Sequence, residues 1–156
     1  DFPMNIILNT IPQKASFTKM PDETDVVNYG KYLVNAASCI DCHTQFDKGK
    51  LVAGKEYGGG REFPFPDGAV VRSSNISPDA TTGIGSWNEQ RFVAIFRTNA
   101  DSSMQLKKIN PGEYNTIMPW TMYGTMKESD LKAIYAYLKT VKPVNNSVIK
   151  FTGAKK

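Results

Sequence analysis

The chain has 156 residues, room for one domain, with 40% hydrophobic and 22% charged side chains and a formal net charge of +4. Its lysines are scattered and not interleaved with aromatic residues, which argues against a nucleic-acid partner. No apolar run approaches the ~18 residues needed to cross a bilayer, and the start at Asp1-Phe2-Pro3 has no basic segment or initiator methionine, as expected of a processed or truncated product.

Residues 1–21 show no periodicity and are punctuated by Pro3, Pro12 and Pro21, which predicts an extended arm or linker. A helix is predicted from Thr24 to Ala37. Asp22 or Thr24 would cap it, Asp25 would sit in its first turn, and Val26, Tyr29, Tyr32 or Leu33 and Ala36 fall at helical spacing. Gly30 inside such a helix costs about 1 kcal/mol relative to alanine, so it is expected to permit a close approach by another element.

That helix runs into Cys39-Ile40-Asp41-Cys42-His43, which holds the only two cysteines and the only histidine of the chain. Cys-x-x-Cys-His is the attachment pattern of a c-type haem. Thiols three positions apart lie near one face of a helical turn, where both can form thioethers to one porphyrin edge. The following imidazole can then ligate iron. A redox Cys-x-x-Cys would follow a strand in a βαβ setting, whereas a helical pattern precedes this one. A structural zinc site needs four ligands where three such residues exist. A disulfide between the two cysteines would leave His43 without a role. Thiols consumed as thioethers suit a periplasmic or otherwise extracytoplasmic location.

Residues 46–79 read as loops, broken by Gly58-Gly59-Gly60 and by Pro64-Phe65-Pro66-Asp67-Gly68. A stretch this long is usually functional or held by something other than secondary structure, and a haem would organise it. Pro64 and Pro66 offer carbonyls that could orient the ring of His43. Lys48, Lys50 and Lys55 read as solvated loop lysines, with a positive rim steering an acidic redox partner as the alternative. A second helix is predicted to open with a capping box, Ser86-Trp87-Asn88-Glu89, and to fade near Asn99. The last helix is predicted from Glu128 to Val141 and ended by Pro143. No strand pairs stand out. The expected class is therefore all-α, a few helices and long loops wrapped around one covalently bound haem c, with the domain over residues 22–145 and a tail over 146–156.

With one histidine, a second axial histidine from this chain is excluded, which leaves a methionine, a lysine, a tyrosine, an amine terminus or an open site. Of Met4, Met20, Met104, Met118, Met122 and Met126, Met118 is the best candidate for the distal ligand. It lies far downstream in a loop, and Pro119 biases it to extended geometry. Met122 and Met126 share the neighbourhood and read as gap-fillers.

The series Cys39-Ile40-Asp41-Cys42-His43-Thr44, Asn75-Ile76-Ser77-Pro78-Asp79, Thr82-Gly83-Ile84-Gly85-Ser86-Trp87, Met118-Pro119-Trp120 and Ala136-Tyr137-Leu138 resembles class I-like cytochrome c domains. It is most similar to single repeats of the multihaem cytochrome subunits that accept electrons from bacterial alcohol and aldehyde dehydrogenases. The resemblance spans roughly Asp25 to Val144. It implies a first and last helix crossing near the haem edge, Met118 as distal ligand, Asn75 and Ile76 against the haem, Arg72 approaching a propionate, and Trp87 and Trp120 in the haem pocket or the core. Lys127 stands where the family often has a capping threonine, so Thr125 or another residue must start the last helix. The glycines that usually follow the arginine of the middle helix are missing as well, with Arg97-Thr98-Asn99-Ala100-Asp101 in their place, which bears on the course of the loop from Asp101 to Thr116.

The expected function is single-electron transfer between redox proteins outside the cytoplasm, with no substrate chemistry on the chain. A dehydrogenase is the expected donor and a cytochrome or terminal oxidase the acceptor. The chain would be either a free carrier or the relay domain of a larger membrane-associated oxidoreductase, with any membrane tether outside this sequence. A haem enzyme or ligand sensor with an open distal site is the alternative from another class.

Overall fold

The computed structural model describes residues 2–11, 14, 16–101, 108–110 and 112–154. Met104 lies outside the described residues. Among those described, six helices run in order: α1 (Met4–Leu8), α2 (Val26–Ala36), α3 (Cys39–His43), α4 (Glu89–Ala100), α5 (Trp120–Tyr123) and α6 (Glu128–Leu138). Between and after them lie β1 (Phe46–Asp47), β2 (Lys50–Leu51), β3 (Glu62–Pro64), β4 (Val70–Arg72) and β5 (Phe151–Thr152).

Every described residue from Phe2 to Met20 is exposed. The arm is not wholly extended, because Met4–Leu8 close a short helix. In α2 the cap is Asp25, whose side chain accepts from the backbone N–H of Asn28 at 3.3 Å. Asp22 instead closes the turn before it, accepting from Thr24 N at 2.9 Å and Thr24 Oγ1 at 2.7 Å.

Helices α2 and α6 cross at Gly30. A Cβ there would overlap the backbone oxygen of Ala133 and lie 3.1 Å from Cβ of Tyr137. The close approach expected of this glycine is thus made by α6. Val34 of α2 packs with Leu131, Ile134 and Leu138 of α6, Phe92 and Val93 of α4, and Ile84 and Tyr57 of the loops. Burial of side chains of this size contributes about 1.5–3 kcal/mol each. Tyr29 Oη donates to Asp130 at 3.1 Å along the same seam.

The cap of α4 is Asn88, extended at φ −96° and ψ 168°, accepting from Arg91 N at 2.8 Å. The capping box expected at Ser86 is not used. Trp87 N bonds back to Ile84 O at 3.1 Å in a preceding turn, and Glu89 is the first helical residue. Helix α6 starts at Lys127 with no side-chain cap, and Thr125 turns its hydroxyl back to Met122 O. Glu128 and Asp130 in the first turn complement the helix dipole there.

The all-α expectation needs correction. β1 pairs with β2, and β3, β4 and β5 form a second antiparallel sheet in that order. The β3–β4 hairpin turns at Pro66-Asp67-Gly68, with Gly68 at φ +86° and Asp67 accepting from Ala69 N at 3.0 Å. Strands of two or three residues are too short to show alternation, and β5 comes from the expected tail, more than seventy residues from its partner.

Candidate functional site

Ser38 in left-handed geometry, φ 52° and ψ 34°, separates α2 from the single turn α3. The turn presents Cys39 half-buried and Cys42 exposed, both as free thiols. Burial pushes the Cys39 thiol up to about 11, opposed by a bond from its own backbone and aided by the neighbouring Cys42. A thiol held protonated in this way is a poor nucleophile, which disfavours a thioredoxin-like role.

His43 Nδ1 lies 2.8 Å from the backbone oxygen of Ser74. A carbonyl can only accept, so Nδ1 carries the proton and Nε2 keeps its lone pair for a metal. The orienting carbonyl is that of Ser74, not of Pro64 or Pro66. Burial lowers the pKa of His43, opposed by the Ser74 bond, and favours the neutral imidazole that ligation requires.

The glycine run positions this pair. Gly59 N donates to His43 O at 2.7 Å, and Gly60 N donates to Ser73 O at 2.9 Å. Gly59 sits at φ +70°, and a Cβ on it would come 2.5 Å from Asn75 N and the carbonyl carbon of Ser74. Only glycine lets the chain thread between the histidine and its orienting carbonyl.

Arg61, directly after the glycines, was not legible as a site residue. Its Nη1 donates to the backbone oxygen of Asp41 within α3, and its guanidinium stacks over Phe46 at 4.6 Å and Phe63 at 5.5 Å. The sequence carries no signal for it beyond adjacency to Gly60.

The other expected residues have these surroundings. Asn75 is buried with both ends of its amide satisfied: Nδ2 donates to Val144 O at 2.7 Å and Thr82 Oγ1 at 3.0 Å, and Oδ1 accepts from Ser77 N and Oγ. It braces the loop beside Ser74. Ile76 is half-buried against the core. Arg72, expected near a propionate, has its guanidinium committed to Glu62 at 2.8 Å, Ile149 O and Thr152 Oγ1 on either side of the central strand β4. Trp87 packs on the core beneath Arg91.

Met118 is half-buried. Its N–H donates to Thr116 Oγ1 at 3.1 Å and its carbonyl accepts from Trp120 N at 2.8 Å, so its backbone is fixed outside any helix. The turn α5 follows directly, seeded by Pro119. Tyr123 of α5 donates its hydroxyl to Ala37 O at 2.9 Å, two residues before Cys39. Arg97 of α4 donates to the backbone oxygens of Gly124 and Met126. The Tyr123 bond ties the end of α5 to the end of α2, and the Arg97 bonds tie the chain after α5 to α4. Met122 is 68% exposed, while Met126 packs on the core.

Trp120 stacks edge-on to Phe96 at 5.5 Å, and its Nε1 is buried with no partner among the described residues. An unpaired buried donor costs about 1–3 kcal/mol, so an acceptor outside the described residues is implied. No cluster of three or more His, Cys, Asp or Glu among the described residues could hold a bare metal ion. Two thiols, one imidazole with a free Nε2, one thioether and one orphaned N–H instead fit haem c, whose propionates are acceptors.

Residues 27–142 match the family model of cytochrome c, and the chain belongs to that family. It is an electron-transfer domain whose family carries haem c. It is 30% identical over 137 residues to the gluconate 2-dehydrogenase cytochrome c subunit of Pantoea cypripedii, covering 86% of this chain and 28% of that protein. It is 32% identical over 120 residues to the fructose dehydrogenase cytochrome subunit of Gluconobacter japonicus, covering 76% and 22%. To the cytochrome c subunit of the quinone alcohol dehydrogenase of Gluconacetobacter polyoxogenes it is 31% identical over 132 residues, covering 83% and 25%. The chain thus spans at most 28% of these relatives. Among the described residues, no helix is long and apolar enough to cross a membrane.

Proposed function

We propose that the chain binds one haem c through thioethers to Cys39 and Cys42, with His43 Nε2 and Met118 Sδ as axial ligands, and relays single electrons from a dehydrogenase to a cytochrome or oxidase outside the cytoplasm. The observation that carries the reading is the 2.8 Å contact of His43 Nδ1 with Ser74 O, which leaves Nε2 free beside two unpaired thiols. When bound, the haem supplies an iron that accepts and returns one electron.

The chain's own residues do the rest. Ser74 holds the imidazole ring, and its bond raises the basicity of Nε2 as a ligand. Arg61 holds the attachment turn through Asp41. Met118 offers a soft thioether, which favours the ferrous state and raises the potential. Trp120 and Phe96 would exclude water beside Met118, and the unpartnered Nε1 of Trp120 would donate to a haem propionate. Exposed Cys42 marks the edge at which electrons would enter and leave, through the small interface usual for weak redox encounters. The low coverage of the relatives supports a second setting for the same chemistry, a relay domain within a longer, membrane-associated oxidoreductase.

The absorption spectrum of the ferric holoprotein tests this directly. A low-spin spectrum with the weak red-end band of iron–thioether bonding is expected. A high-spin iron that binds added ligands at once would overturn the Met118 assignment and favour a catalyst or sensor.

A further inference from the structure

The family match ends at residue 142, yet the chain after it is firmly placed. Beyond Pro143, Val144 is buried against Gly58, donates its N–H to Ser77 Oγ at 3.0 Å, and accepts from Asn75 Nδ2. Asn146 donates its N–H to Thr82 Oγ1 at 2.9 Å and its amide to Gly58 O at 2.9 Å. Further on, Lys150 O accepts from Arg72 N at 2.8 Å, and Phe151–Thr152 pair with Val70 and Val71. This segment therefore grips the chain on both sides of Ser74, the residue whose carbonyl orients His43.

Its far end reaches the other ligand's loop. The Phe151 ring meets Tyr114 edge-on at 5.7 Å, and the β3–β4 turn adds a bond from Gly112 N to Asp67 Oδ2 at 3.2 Å. Tyr114 stands four residues before Met118, and Thr116 between them accepts from Met118 N. One segment beyond the family match thus touches both the loop that orients His43 and the loop that carries Met118.

We propose that residues 143–152 are a strap holding these two loops in register, and that Phe151 and Tyr114 are positioning residues for Met118. The inference rests on Met118 as distal ligand. Its energetic content is modest, since an edge-to-face pair is worth about 0.5–1.5 kcal/mol beyond burial. That suffices to shift the small population in which Met118 leaves the iron. A foreign ligand must wait for that population, so its binding rate reads the strap.

The test is the rate at which cyanide binds the ferric holoprotein, compared among wild type, Phe151→Ala, Tyr114→Ala and the double variant, with guanidinium unfolding run in parallel. Each single substitution is expected to speed binding about fivefold, the effect implied by loss of one such pair. The double variant should be no faster than the singles, and Phe151→Tyr should keep the wild-type rate. Tyr114 is half-exposed, so its variant tests the idea even if Phe151→Ala fails to yield folded protein. Leu138→Ala serves as the comparison for global loosening. An intact red-end band with unchanged cyanide rates would overturn the strap alone. So would acceleration that merely tracks the loss of unfolding stability, as in Leu138→Ala. A wild type lacking the band and already as fast as Met118→Ala would overturn the ligand assignment, and the strap with it.

Discussion

The hydroxyl of Tyr123 donates to the backbone oxygen of Ala37 across 2.9 Å, and this bond joins the turn after Met118 to the end of the helix that leads into Cys39. The carbonyl lies where helix geometry leaves a backbone oxygen to be satisfied from outside. The Ala37 carbonyl follows the last turn of α2, and Tyr123 ends α5. Tyr123→Phe removes the donor and keeps the ring, so the holoprotein should lose about 1 kcal/mol of stability. Guanidinium unfolding of the two proteins measures it, and identical midpoints would show that water replaces the bond without cost.

Gly30 against Ala133 sets a sharper limit. A methyl at residue 30 would overlap the Ala133 carbonyl oxygen, a backbone atom that cannot rotate away. Overpacking of this kind costs about 1–3 kcal/mol even though alanine is the better helix former by about 1 kcal/mol. Gly30→Ala should therefore lower the thermal midpoint of the holoprotein. A variant as stable as wild type would mean that α2 and α6 separate freely at this crossing.

Acid sensitivity should concentrate at Asp79. Its Oδ1 accepts from Thr82 N at 2.8 Å, Thr82 Oγ1 at 2.7 Å, and the N–H and hydroxyl of Thr81. The Thr82 backbone bond chiefly, then its hydroxyl, hold the carboxyl at about 2 against an ordinary 3.8. A folded-state value below the unfolded one stabilises at pH above about 3.8, and that contribution fades as pH falls through about 2. Unfolding midpoints of wild type should drop between pH 4 and 2, and the drop should be shallower in Asp79→Asn. Parallel profiles would place the acid-labile group elsewhere.

Where residues carry their own chemistry, the site could be read from the chain alone. Cys39, Cys42 and His43 are unique in it, and a glycine inside a helical pattern implied the crossing that Gly30 makes. What escaped depends on backbone placement. The Ser74 carbonyl is a main-chain atom that any residue type could supply, so nothing in the sequence distinguished it from Pro64 or Pro66. Caps slipped by one to three residues, because Asp22, Thr24 and Asp25, or Ser86 and Asn88, are all competent acceptors and tertiary packing decides among them. β5 escaped because its partner β4 is distant along the chain, and the same distance hid the ties of Arg72 to Ile149 and Thr152.

The three methionines after residue 117 separate cleanly by environment, and that separation is testable. Met122 is 68% exposed and should tolerate alanine with no change in spectrum, potential or stability. Met126 packs on the core, so Met126→Ala should cost about 2 kcal/mol while the red-end band persists. Met118 has its backbone fixed at both N and O and its side chain half-buried, so Met118→Ala should abolish the band. The potential should fall by on the order of 0.1 V, a fraction of the about 0.8 V that axial ligands span. The direction follows from the softer ligand favouring ferrous iron. If alanine at residue 126 removed the band instead, the Met118 assignment would fall, and if alanine at residue 122 did so, α5 would have to turn its outer face toward the iron. The Tyr123–Ala37 bond would then have to break.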